Sequence, residues 1–183
     1  MVINESGLCA AMKAAFKKKS TGYKVAAQLS QNQEEELVIS APGWIAIINR
    51  ENAPRKVLGL IVEHVGDLPQ EGKAFQVQDT KAQAEIIDMA VPEMGKAVLG
   101  ADVKRTQLQY NGYQIWQRVD DHSVFMLAGK VEDMLDGYNR QVILADNGMF
   151  YAQGVASRLY LQPLQVMQND LPVLHHLAKM QWV

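Results

Sequence analysis

Residues 37–62, LVISAPGWIAIINRENAPRKVLGLIV, form the most hydrophobic part of the chain and are broken twice, by APG and by NRENAPRK. A membrane helix needs about 20 apolar residues without interruption. Here Pro42-Gly43 interrupts the run, and a loop of charges and amides does so again. The segments on either side of APG, 37–40 and 44–48, are rich in β-branched residues, and Pro42 and Gly43 suit the central positions of a type II turn. Residues 57–62 read as a third strand. The stretch therefore predicts three core strands and no membrane association.

Upstream, Asn4 suits an N-cap, and Leu8, Met12, Ala15 and Phe16 recur at helical spacing, which predicts a helix over residues 5–18 with Cys9 at the border of its apolar face. Lys17, Lys18 and Lys19 close that helix where positive charge opposes the negative end of its dipole. They read as a solvated helix end, with a phosphate-binding patch as the alternative. Tyr23, Val25, Ala27 and Leu29 alternate with polar or small residues as in a half-buried strand. Downstream, residues 75–78 predict a short strand, and Asp79 or Thr80 can cap a central helix through Ile86, Ile87 and Met89 that Pro92 bends or ends. GKAVLGAD, residues 95–102, is the candidate internal boundary.

The second half opens on RTQLQYNGYQIWQRV, residues 105–119, where Asn111-Gly112 between alternating residues is the signature of a type I′ hairpin. An unbroken register sets Tyr110 against Tyr113 and Leu108 against Ile115. The other face then pairs Gln109 with Gln114, Gln107 with Trp116 and Arg105 with Arg118. Two guanidinium groups in direct opposition destabilise a sheet unless they splay or share an anion. Arg105, Gln107, Gln109, Gln114, Trp116 and Arg118 thus make the candidate binding surface, suited to a phosphate backbone or to acidic groups of a partner. The competing reading is a solvated strand face with Trp116 covered by another element. Residues 124–128 predict the next strand, 129–139 a short acidic helix or loop, and 141–154 a second hairpin with Gly148 at its left-handed position. Asn169 or Asp170 can cap a C-terminal helix carrying Leu171, Leu174, Leu177 and Met180 on one side.

These elements predict an α+β fold built mainly on antiparallel sheet, with an N-terminal, a central and a C-terminal helix. The 183 residues suit a single domain, with two similar lobes, 1–100 and 101–183, as the alternative suggested by the likeness of LVISAPGWIAII to QVILADNGMFYA. A net charge of −2 gives no global attraction to nucleic acid or anionic lipid, so such a contact would need a local patch. A single cysteine excludes an intramolecular disulfide, and no secretory signal opens the chain, which together point to the cytoplasm. Trp44, Trp116 and Trp182 offer apolar surface for a homodimer.

Catalytic signatures are scarce. No GxGxxG or GxxxxGK[ST] is present, and His64, His122, His175 and His176 form no HExxH pair. No cofactor is expected. Cys9 reads as a small apolar residue rather than a nucleophile. A metal site assembled from Asp120, Asp121 and His122 with Glu63 and His64 is weighed against a polar turn and a strand end.

Residues 3–27, INESGLCAAMKAAFKKKSTGYKVAA, and 44–69, WIAIINRENAPRKVLGLIVEHVGDLP, resemble small proteins carried by bacteriophages and related mobile elements, some of which are anti-CRISPR inhibitors of Cas nucleases. The resemblance covers roughly the first half and rests on scaffold residues. It implies a non-enzymatic accessory protein that binds and inhibits a host nuclease or nucleoprotein. The alternatives are a DNA-associated replication or recombination accessory, clamp-like in form, and a metal-dependent hydrolase using His122.

Overall fold

The structure is a computed structural model that describes residues 1–18, 21–78, 81–83, 100–137 and 141–183. Helix α1 (Glu5–Phe16) begins where Asn4 Oδ1 accepts from the amides of Ser6 and Gly7, as its N-cap position requires. Strands β1 (Tyr23–Leu29), β2 (Glu35–Ala41) and β3 (Trp44–Asn49) follow as a meander. Gly43 turns the chain from β2 to β3 at φ 95°, the positive value that a type II turn demands.

The expected third strand over 57–62 is instead the middle of helix α2 (Arg55–Val65). Pro54 precedes it, and Gly66 closes it in the left-handed conformation at φ 94°. Val57, Leu60 and Ile61 are its buried residues, a spacing of three and four that belongs to a helix. A short apolar run satisfies both patterns, and the Pro and Gly at its ends decide between them.

Strands β4 (Ala74–Gln78) and β5 (Lys81–Gln83) complete the first half, while the expected helix through Ile86, Ile87 and Met89 lies outside the described residues. Beyond it come β6 (Gly100–Tyr110), β7 (Tyr113–Arg118), β8 (Val124–Ala128), α3 (Gly129–Glu132), β9 (Val142–Ala145), β10 (Phe150–Gln153), β11 (Ser157–Leu161) and α4 (Leu171–Leu177). The fold is α+β, and its described strands form one antiparallel sheet in the order β5-β4-β1-β2-β3-β11-β10-β9-β6-β7-β8. No described helix is long and apolar enough to cross a membrane.

The order explains the composition of the opening stretch. Strands β2 and β3 lie in the interior of the sheet and are buried on both faces, so they read as continuous apolar runs rather than alternating ones. Leu37, Ile39, Trp44, Ala46 and Ile48 join the main core with Leu8 and Met12 of α1 and Val57 and Ile61 of α2. Val38 and Ile47 point the other way, into a second cluster with Tyr151 and Tyr160. Across the junction of the two halves, β3 pairs with β11 from Trp44 opposite Leu161 to Ile48 opposite Ser157. On the second face Arg158 of β11 reaches over β3 to an ion pair with Glu36 of β2, a residue only 8% exposed. A third cluster joins Ile115 and Met126 to Leu174 of α4.

Candidate functional site

The hairpin β6–β7 starts as its turn dictates. Asn111 and Gly112 have φ of 50° and 79°, Tyr110 opposes Tyr113, and Gln109 opposes Gln114. The register then shifts, so that Arg105 opposes Trp116 and Val103 opposes Arg118. Three residues separate Arg105 from Gln109 on β6, and one separates Gln114 from Trp116 on β7. Two side chains hold this irregularity in place. Thr106 Oγ1 donates to the carbonyl of Ile115 at 2.8 Å and accepts from the amide of Leu108 at 3.0 Å. Gln114 Nε2 donates to the carbonyls of Thr106 (2.9 Å), Leu108 (2.8 Å) and Ile115 (3.1 Å).

The expected face is therefore divided. Arg105 and Arg118 do not oppose each other, because β6 carries extra residues between them and the turn. Gln114 is buried in the irregularity, and Gln107 is exposed without facing Trp116. Arg118 turns to the following loop, where its guanidinium holds Asp120 at 2.5 Å and Asp121 at 3.2 Å. The hydrogen bond from Arg118 holds the Asp120 carboxyl below the usual carboxylate range. Those carboxylates thus serve the loop, and His64 lies against Phe16 and Tyr23, so the set weighed as a metal site is not assembled. Among the described residues no three His, Cys, Asp or Glu side chains converge. Trp44 and Trp116, each 4% exposed, belong to the core. Cys9 is a half-buried free thiol, its pKa pushed up by burial first and by Glu5 second.

Arg105, Gln109 and Trp116 remain together, in a cleft of about 590 Å³ between the hairpin, the first turns of α1 and the α3 region. That volume lies within the range of small-molecule sites, roughly 300–1,000 Å³. Asn4, Ser6 and Gly7 form one wall, Glu132 and Asp133 another. Arg105 Nε donates to Glu132 Oε1 at 2.7 Å, the two side chains being 25% and 12% exposed. The Trp116 ring packs at 57° to Phe150 with centroids 5.5 Å apart, and its buried Nε1–H meets no acceptor among the described residues. Such a donor costs about 1–3 kcal/mol while unsatisfied.

The first turns of α1 approach the chain after α3 closely. The amide of Asn4 donates to the carbonyl of Met134 at 2.7 Å, and Ile3 bridges Leu135. Asn4 is legible in the sequence as a cap and 129–139 as an acidic helix or loop, but no local pattern announces that the two meet. Comparison of the chain with protein-family models, with curated proteins and with solved structures finds no match.

Proposed function

We propose that the protein works by binding rather than by catalysis, as an accessory of a bacteriophage or related mobile element that occupies a surface of a host nuclease or nucleoprotein and inhibits it, in the manner of anti-CRISPR proteins. The observation that supports this reading is the cleft that joins Arg105, Gln109 and Trp116 to Glu132 and Asp133. An aromatic ring, an arginine and flanking polar groups in one concavity are the composition of an interface centre rather than of an ordinary solvated face.

The test is target cleavage by a panel of purified Cas nuclease–guide RNA complexes with increasing protein, alongside binding to double-stranded and single-stranded DNA in a salt series. Wild-type protein is expected to bind one of these complexes and slow its cleavage. Gln109→Trp, which fills the cleft from an exposed position, should weaken that binding roughly tenfold, the worth of one well-packed interface side chain. Cleavage unaffected across the panel, together with DNA affinity falling steeply as salt rises, would instead assign the protein to the DNA-associated class.

A further inference from the structure

We infer that the outer face of α1 and α2 binds the phosphate backbone of a nucleic acid, with Lys13, Lys17, Lys18, Arg55 and Lys56 neutralising phosphates and Gly59 admitting the closest approach of the strand. This goes beyond the reading of the cleft, which none of these six residues lines.

The two helices lie side by side and parallel, Glu5 accepting from the Lys56 amide at 3.2 Å in their first turns and Phe16 stacking on His64 in their last. Lys13 and Lys17 on α1 and at its end, and Arg55 and Gly59 on α2, stand four residues apart at exposed positions, so each pair lines the outer side of its helix. Residues 5–18 and 55–65 together carry five basic and two acidic side chains, a net +3 on a chain whose total is −2. Lysine and arginine gathered on one face form a local field that attracts polyanions even where the whole chain does not. Lys13, Lys17, Lys18 and Arg55 make no ion pair among the described residues, and Lys56 reaches Glu5 only at 4.0 Å. The two acids, half-buried Glu5 and exposed Glu63, are too few to cancel the field.

Two features of α2 run against what the fold alone would select. Arg55 and Lys56 occupy its first turn, which holds no acidic residue and no side-chain cap, so their charges oppose the positive end of the helix dipole. Lys17 and Lys18 at the end of α1 suit their dipole and need no ligand to explain them; Arg55 and Lys56 do not. Gly59 sits in mid-helix, where glycine costs stability relative to alanine, yet a Cβ there would meet nothing within 4 Å. Packing within the described chain does not require that glycine. A phosphate strand accounts for both features, since it neutralises the cations of the first turn and lies against a surface with no side chain in its way.

The experiment is a fluorescence-anisotropy titration of the full-length protein against a labelled single-stranded RNA and a labelled DNA duplex across a salt series. Saturable binding that weakens as salt rises is expected; tighter binding of the RNA assigns the strand to a guide, and tighter binding of the duplex assigns it to DNA itself. Lys13→Gln combined with Arg55→Gln should reduce the steepness of log affinity against log salt by about 1.4 on the single strand or about 1.8 on the duplex, the worth of two phosphate contacts. Lys104→Gln combined with Lys130→Gln, which alters exposed lysines outside this face, should leave that slope unchanged. Gly59→Leu should raise the urea midpoint and lower the affinity without changing the slope. No binding to either probe, binding indifferent to salt, an equal effect of the two double variants, or wild-type affinity in Gly59→Leu would overturn the inference. The two readings fail separately. Nuclease inhibition by a protein that binds neither probe keeps the inhibitor and removes this face. Salt-sensitive binding that depends on Lys13 and Arg55, without nuclease inhibition, supports this face and removes the nuclease as the target.

Discussion

A methyl group on residue 7 would stand 1.9 Å from the carbonyl oxygen of Asp133, closer than any side-chain carbon can sit to backbone. Gly7 is therefore the residue that lets α1 lie against the chain beyond α3 and so forms one wall of the cleft. Gly7→Ala is expected to lower stability by about 1–3 kcal/mol, as forced overpacking does, despite the better helix propensity of alanine. Urea unfolding measures it, and a variant as stable as wild type would show that the two segments separate freely. On the far side of α1, His64 of α2 stacks on Phe16 with ring centroids 3.9 Å apart and shares a 2.9 Å hydrogen bond between Nδ1 and the Tyr23 hydroxyl. Burial pushes the imidazole below its ordinary value; nearby Glu63 opposes the shift and Lys13 adds to it. The unfolded chain then takes up the proton first as pH falls below about 6.5. The stability that His64 contributes is complete above that value and declines through the interval down to its folded pKa. Urea midpoints between pH 8 and pH 5 should fall less steeply below pH 6.5 in His64→Gln than in wild type.

At the scale of elements, the β6–β7 hairpin depends on one glutamine. Gln114→Leu keeps the bulk and removes the donor, leaving the carbonyls of Thr106, Leu108 and Ile115 without it. A loss of about 1–3 kcal/mol is expected, with Trp116 and Arg105 shifted relative to Glu132. Calorimetry gives the first and the indole resonance of Trp116 the second. Gln117, fully buried, does the same work for the C-terminal segment: it donates to the carbonyl of Met180 at 2.7 Å and accepts from the amide of Trp182 at 2.8 Å. Gln117→Leu should therefore raise amide exchange at Trp182 while leaving β1–β3 protected.

The element scale also shows how far a sequence can be read. Asn111-Gly112 fixed its turn because positive φ at adjacent positions is a local demand with few solutions. Its consequences decayed within four residues, where Thr106 and Gln114 replaced ladder hydrogen bonds with side-chain ones. Pattern alone treats a glutamine on a strand as surface. Helix α2 departs from the strand expected over 57–62 for the opposite reason: these six apolar-rich residues fit two periods, and the Pro54 and Gly66 that bound the helix carry the decisive information. Of the six candidate surface residues, Arg105, Gln109 and Trp116 line one cleft because β6 and β7 are neighbours. Their partners on α1 and α3 come from segments more than 100 residues apart, beyond any local signal.

The whole molecule is joined across β3 and β11, and the Glu36–Arg158 pair spans that junction on one face while α1 meets the chain beyond α3 on the other. Arg158→Ala leaves Glu36 buried without its principal cation and should cost about 3 kcal/mol. Because the junction is a strand pair within one sheet, the loss should appear as a lower denaturant midpoint with an unchanged slope. Two separate transitions would mean that the halves unfold independently.

That junction also orders events during synthesis. Strand β3 is complete at residue 49, but its neighbour β11 begins only at residue 157. At roughly 5–20 residues per second, the ribosome takes about 5–20 s to deliver it. Through that interval the nascent chain presents WIAII with one row of backbone groups unpaired, a template for other chains as much as for its own last strand. Crowded polysomes making this protein would need a holding chaperone there, at a point in its life when the cleft does not yet exist.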